Sequence, residues 1–193
     1  MLICVTHRLL CTDDFLARLD RIAAQHPYCI VLREKDLNES DYEALAREAL
    51  AVCQKHGTPL NLNSHIEVAR RIGCRGVHLP FSMLIEHRNE LGDFERIGVS
   101  LHSAEEARAL RGTPATYVQA GHIFPTDCKA GVPPRGLSFL KEVCDSTDLP
   151  VFGIGGIHAK RYPDVLSTGA AGACIMSGLM TCEDVEQTMK PFL

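Results

Sequence analysis

Gly121-His122 heads the run Ile123-Phe124-Pro125-Thr126-Asp127-Cys128-Lys129, which sets a titratable ring beside several hydrogen-bond donors. A neutral imidazole near pH 7 both takes and gives a proton, as general acid–base chemistry requires. His122 is therefore the candidate catalytic residue, with Thr126, Cys128 and Lys129 as candidate substrate contacts. Two later segments, Ile154-Gly155-Gly156-Ile157 and Met176-Ser177-Gly178, have the composition of a phosphate cradle. Glycine has no Cβ, so backbone N–H groups reach an anion unobstructed. Either pair alone is accounted for by a tight turn; together they point to phosphate, with Gly155, Gly156, Ser177 and Gly178 as its candidate ligands. Arg33 and Lys35 supply cations, and Ser100 and His102 further polar groups, for the rest of a substrate. No Walker loop and no Gly-x-Gly-x-x-Gly is present, so a nucleotide is not expected.

Four histidines, His7, His65, His102 and His122, fall near the ends of apolar runs, and three imidazoles can hold zinc. They come from scattered segments and lack supporting carboxylates, Asp127 being the only acid in the 122–129 run. No metal and no cofactor are expected.

The elements that must position these groups alternate strictly. Apolar runs at 2–6, 28–33, 60–63, 76–79, 97–101, 115–121, 151–154 and 173–176 read as strands. Helical periods at 14–25, 39–56, 65–72, 82–91, 104–111, 137–145, 158–167 and 182–190 follow them. Ser103 is an N-cap with Glu106 at the capping-box position. Crossover helices between successive strands imply a parallel sheet. Eight such units favour closure as an α/β (β/α)8 TIM barrel over a flavodoxin-like open sheet, which needs only about five strands. A single compact domain over residues 1–193 is expected. Active sites of such barrels lie just beyond the strand C-termini. Those positions hold His7, Arg33 to Lys35, Asn63 to His65, Pro80 to Met83, Ser100, His102, His122, Gly155-Gly156 and Ser177-Gly178. They form a basic, polar set suited to an anion.

The 193 residues fit one domain, with 46% hydrophobic and 23% charged residues excluding a disordered or fibrous chain. Aromatics at 6%, without Trp, leave little surface for stacking bases. Twenty basic against 24 acidic residues give a net charge of −4, which provides no broad attraction to nucleic acid or anionic membrane. No apolar run approaches the roughly 18 residues of a membrane helix. Nine cysteines, odd in number and without a Cys-x-x-Cys pair, sit partly inside apolar runs and read as free thiols. With no signal peptide ahead of the first strand, a reducing, cytoplasmic compartment is expected.

Gly121-His122-Ile123-Phe124-Pro125-Thr126-Asp127-Cys128-Lys129 with Pro134-Arg135-Gly136-Leu137 resembles the signature loop of TenI-type thiazole tautomerases, relatives of thiamin-phosphate synthase. Gly98-Val99-Ser100-Leu101-His102-Ser103, Gly153-Ile154-Gly155-Gly156-Ile157 and Met176-Ser177-Gly178 match that superfamily in the same order, as do Leu32-Arg33-Glu34-Lys35 and Gly76-Val77-His78-Leu79. The resemblance implies a (β/α)8 barrel acting late in formation of the thiamin thiazole. Its synthase branch joins a pyrimidine pyrophosphate to a thiazole phosphate using magnesium held by aspartates after strands three and four. Here those stretches read Leu62-Asn63-Ser64-His65 and Leu79-Pro80-Phe81-Ser82-Met83, and neither carries a carboxylate. The synthase's Gly-Pro is Gly121-His122. The resemblance thus favours a tautomerase that aromatises a carboxythiazole phosphate by metal-independent proton transfer. Thiamin-phosphate synthase and a non-catalytic phosphate-ligand sensor are the alternatives. The expected partner is the small thiazole phosphate carboxylate, with a homodimer left open and neither nucleic acid nor membrane expected.

Overall fold

Each of the eight apolar runs forms a strand because its residues are buried on both faces. Side chains of one parity point into a closed barrel and those of the other meet the surrounding helices. The computed structural model describes residues 1–126, 129 and 131–193. Strands β1 (Leu2–Val5), β2 (Cys29–Leu32), β3 (Leu60–Asn63), β4 (Gly76–Pro80), β5 (Arg96–Leu101), β6 (Tyr117–Gly121), β7 (Val151–Ile154) and β8 (Gly172–Ile175) pair in chain order, all parallel. The ring closes where β1 meets β8, with Leu2 opposite Ala173 and Cys4 opposite Ile175. This is the TIM-barrel architecture expected from the repeat.

Strand alternation divides the core in two. Ile3, Val5, Cys29, Val31, Tyr117, Phe152 and Cys174 fill the barrel interior. Their neighbours of opposite parity, such as Leu2, Cys4, Ile30 and Leu32, join the larger layer between strands and helices. Each fully buried Leu or Ile of that layer contributes about 1.5–3 kcal/mol.

The helices among the described residues are α1 (Phe15–Ala23), α2 (Glu39–Lys55), α3 (Ile66–Ile72), α4 (Phe81–His87), α5 (Ala104–Arg108), α6 (Gly136–Cys144), α7 (Tyr162–Ser167), α8 (Ser177–Met180) and α9 (Val185–Met189). The last units depart from the periodic reading. The helix expected at 182–190 shortens to α9, and α8 forms ahead of it, directly behind β8. The helix expected from 158 opens as a 3-10 turn at Ala159–Arg161 before α7. Ser103 caps α5 by accepting from the Glu106 N–H at 3.2 Å. The Glu106 carboxylate takes the His102 N–H at 2.6 Å, one residue before the box position.

None of these helices is long and apolar enough to cross a membrane. The eight cysteines among the described residues are unpaired.

Candidate active site

The strand C-termini open onto a cavity of about 1110 Å³ that takes its lining from all eight units. Of the residues singled out from the sequence, Arg33, Lys35, Ser100, His102, His122, Thr126, Lys129, Gly155, Gly156, Ser177 and Gly178 all line it. Cys128 lies outside the described residues.

His122 follows directly on β6 and is 9% exposed. Its Nε2 lies 3.2 Å from the carbonyl of Val132. A carbonyl only accepts, so Nε2 carries the hydrogen and Nδ1 is left as the basic nitrogen. The loop carrying Val132 is anchored at both ends, Ile123 N–H bonding Ile154 O at 2.8 Å and Arg135 N–H bonding His122 O at 2.9 Å.

Gly155 and Gly156 do more than leave room for an anion. Both have positive φ, 98° and 64°. A Cβ on Gly155 would sit 2.4 Å from His122 Cβ, and one on Gly156 2.4 Å from the carbonyl oxygen of Pro125. The β7 turn and the His122 loop therefore pack backbone to backbone. Among the described residues, the N–H groups of Gly155, Gly156, Ser177 and Gly178 donate to no protein acceptor, which leaves them available to an anion. Behind them Arg18 is 2% exposed and donates to the carbonyls of Leu179 and Cys182 at 2.9 and 2.8 Å. That contact ties α8 to α1.

Across the mouth stand the cations. The Arg33 guanidinium, then burial, then the Lys129 ammonium hold the Lys35 ammonium below its ordinary pKa, as expected of like charges gathered at one place. Their backbone is braced from below by Glu34, which is 2% exposed. Its carboxylate accepts from Thr6 Oγ1 at 2.6 Å and from the Arg8 N–H at 3.0 Å, and Thr6 Oγ1 in turn accepts the Arg33 N–H at 3.0 Å. Glu34→Gln turns one of these acceptors into a donor facing donors. It should cost about 1–3 kcal/mol of stability, read as a lowered denaturant midpoint, and should weaken anion binding because Arg33 loses its anchor.

Among the described residues Asp36 is the only carboxylate lining the cavity, and Arg8 engages both its oxygens at 2.6 Å. No three His, Cys, Asp or Glu side chains of the described residues converge as a metal site. His65 stacks on the Tyr42 ring at 3.7 Å, whereas His7, His102 and His122 line the cavity.

Two residues at the cavity floor were not singled out from the sequence. His78 of β4 bonds Ser100 Oγ through Nε2 at 2.8 Å, and Gln119 of β6 reaches the same oxygen through Nε2 at 3.4 Å. Strand parity was the available signal. His78 is two residues before Pro80, which pairs with Ser100 across the sheet, and Ser100 pairs with Gln119.

A family profile described as thiamine monophosphate synthase matches residues 2–179. The thiamine-phosphate synthase of Albidiferax ferrireducens is 36% identical over 159 residues, covering 81% of this chain and 73% of the relative. That of Clostridium acetobutylicum is 34% identical over 159 residues, covering 81% and 75%. Among solved structures, the thiamine phosphate pyrophosphorylase from Pyrococcus furiosus superposes with a TM-score of 0.85 at 27% identity, over 98% of this chain and 92% of that one. A 3-hexulose-6-phosphate synthase, at 18% identity and a TM-score of 0.69, shares the fold alone.

Proposed function

Because this chain belongs to the thiamine monophosphate synthase family, we propose that it works in thiamin formation as a thiazole tautomerase, aromatising a carboxythiazole phosphate by acid–base proton transfer. The observation that carries this reading is His122, held with Nε2–H on the Val132 carbonyl and with no partner at Nδ1 among the described residues, in a cavity that Arg33, Lys35 and Lys129 also line.

The chemistry is an isomerisation, so atoms and electrons balance within the substrate. Nδ1 of His122 takes the proton from the ring carbon. The C–H electron pair enters the ring, the exocyclic double bond shifts, and the exocyclic carbon takes a proton back from the His122 imidazolium, which restores the neutral base. Val132 O steadies the imidazolium formed in between. The free N–H groups of Gly155, Gly156, Ser177 and Gly178 bind the phosphate, and Arg33, Lys35 and Lys129 attract the carboxylate. Thr126 and His102 close the rim, with Cys128 assigned to the same loop. The substrate is thereby fixed at both ends, which holds the reacting carbon in place.

The names of the relatives favour a second reading, condensation of a pyrimidine pyrophosphate with a thiazole phosphate. That reaction in the synthase branch needs magnesium, and the residues here do not fit it. Asn63, Ser64 and Pro80 occupy the lining where β3 and β4 end, and Asp36 is committed to Arg8. The two readings part in paired assays. The protein should accelerate aromatisation of the exocyclic-alkene tautomer and release no pyrophosphate from the pyrimidine pyrophosphate, thiazole phosphate and magnesium. Pyrophosphate release at enzymatic rates, without aromatisation, would replace the tautomerase reading by the synthase one.

Ser177→Asp tests the phosphate end. The added charge faces the bound phosphate at an exposed position, and like charges a few ångströms apart should weaken product binding by about tenfold or more. Calorimetric titration with the aromatic carboxythiazole phosphate reads this directly. Unchanged affinity would remove Ser177 from the site.

A further inference from the structure

Between the barrel interior and the cavity floor runs a chain of polar side chains whose proton positions follow from its inner end. Asn61 is fully buried and points Nδ2 at the carbonyl of Val77, 3.0 Å away. That oxygen only accepts, so the amide orientation is set, and the same Nδ2 donates to Tyr117 Oη at 3.2 Å. Cys29 Sγ, 3.7 Å from this oxygen, is a second donor to it. With its lone pairs engaged, the Tyr117 hydroxyl donates onward to His78 Nδ1 at 2.9 Å.

Burial, reinforced by Arg33, pushes His78 down to about 4, so the ring is neutral at pH 7. A neutral ring that accepts at Nδ1 carries its hydrogen on Nε2, and Nε2 donates to Ser100 Oγ at 2.8 Å. Gln119 Nε2 approaches the same oxygen at 3.4 Å. Ser100 therefore accepts from below, and its own hydroxyl hydrogen is available to the cavity it lines.

The backbone is shaped around this chain. A Cβ on Gly98 would fall 2.3 Å from Tyr117 Oη and 2.5 Å from His78 Nδ1, so the Tyr117–His78 contact occupies the space a side chain at Gly98 would need. A Cβ on Gly76 would meet Asn61 Oδ1 at 2.3 Å.

We propose that Asn61, Tyr117 and His78 form a positioning relay that holds Ser100 as a hydrogen-bond donor toward the ligand. The site then selects molecules that present an acceptor, such as a ring nitrogen or a carboxylate oxygen, at that point. The relay depends on the proposed function only for the choice of probe. Its residues position Ser100 and do not take part in the proton transfer.

Two measurements test it. Side-chain 1H–15N correlation on 15N-histidine-labelled protein should show His78 as a neutral ring protonated at Nε2 only. In Tyr117→Phe, which keeps the ring and removes the donor, that single-tautomer preference should be lost. The second measurement is a double-mutant cycle on binding of the aromatic carboxythiazole phosphate. Ser100→Ala and Tyr117→Phe should each weaken binding about threefold to tenfold, and the double variant should bind no worse than Ser100→Ala alone. A purely structural Tyr117 would give additive losses, and a His78 protonated at Nδ1 in the unaltered protein would reverse the chain; either result overturns the relay. If the probe fails to bind the unaltered protein, the proposed function fails, and the His78 tautomer still decides the relay.

Discussion

His122→Asn should lower the rate of aromatisation by about 10²–10⁴-fold and leave product affinity within a few-fold of the unaltered protein. Asn keeps a polar side chain that does not titrate; its amide ends about where Nδ1 does, short of the Val132 carbonyl that His122 Nε2 meets at 3.2 Å. What it loses is the nitrogen that takes the proton. A loss confined to turnover is the signature of an interaction needed mainly in the transition state. Steady-state kinetics beside a product titration separate the two quantities. Normal turnover in the Asn variant would make His122 structural and pass the proton to another group, with His102 at the rim the next candidate.

Gly155→Ala should be the most damaging change that removes no functional group. Its φ of 98° suits glycine, and the new methyl would lie 2.4 Å from His122 Cβ and 2.9 Å from His122 Cα. Backbone lies behind that contact, so His122 and its loop must move. A displacement of about 1 Å at a catalytic group is enough to cost about 10²-fold in rate. Strain at a left-handed position adds a stability loss of order 1–3 kcal/mol. The N–H of residue 155 survives, so product affinity should fall far less than turnover. Affinity falling in step with turnover would instead make the Gly155 turn chiefly a phosphate ligand.

The barrel was legible because strict alternation of short apolar runs and helical periods has few other solutions at eight repeats. That Arg33, Lys35 and Ser177 line the cavity was legible for a related reason, since polar residues just past a buried strand face the mouth of a barrel. The segments misjudged are those where periodicity is too short to register. Ser177–Met180 is a single turn containing Gly178, and it left no helical signal ahead of α9. At Ala159–Arg161 the chain tightens to 3-10 geometry before Pro163 opens α7, a distinction hydrophobic spacing does not carry. His78 stands out in the sequence only as a member of the β4 run and of the Gly76-Val77-His78-Leu79 match, because its importance depends on which strand face turns inward and on Tyr117, 39 residues later in sequence. The steric reason for Gly155 and Gly156 was equally hidden, since it lies in loop atoms brought against them by the barrel's closure.

Proton transfer by this chain's own side chains is tested directly by aromatisation with protein dialysed against EDTA. The non-aromatic carboxythiazole phosphate tautomer is mixed with the stripped protein, and the ring absorbance is followed with and without added magnesium. Metal-independent proton transfer predicts the full rate after stripping and no gain on adding magnesium, because among the described residues the lining offers a carboxylate for a hard cation only at Asp36, which Arg8 already holds. Activity abolished by EDTA and restored by magnesium would contradict it.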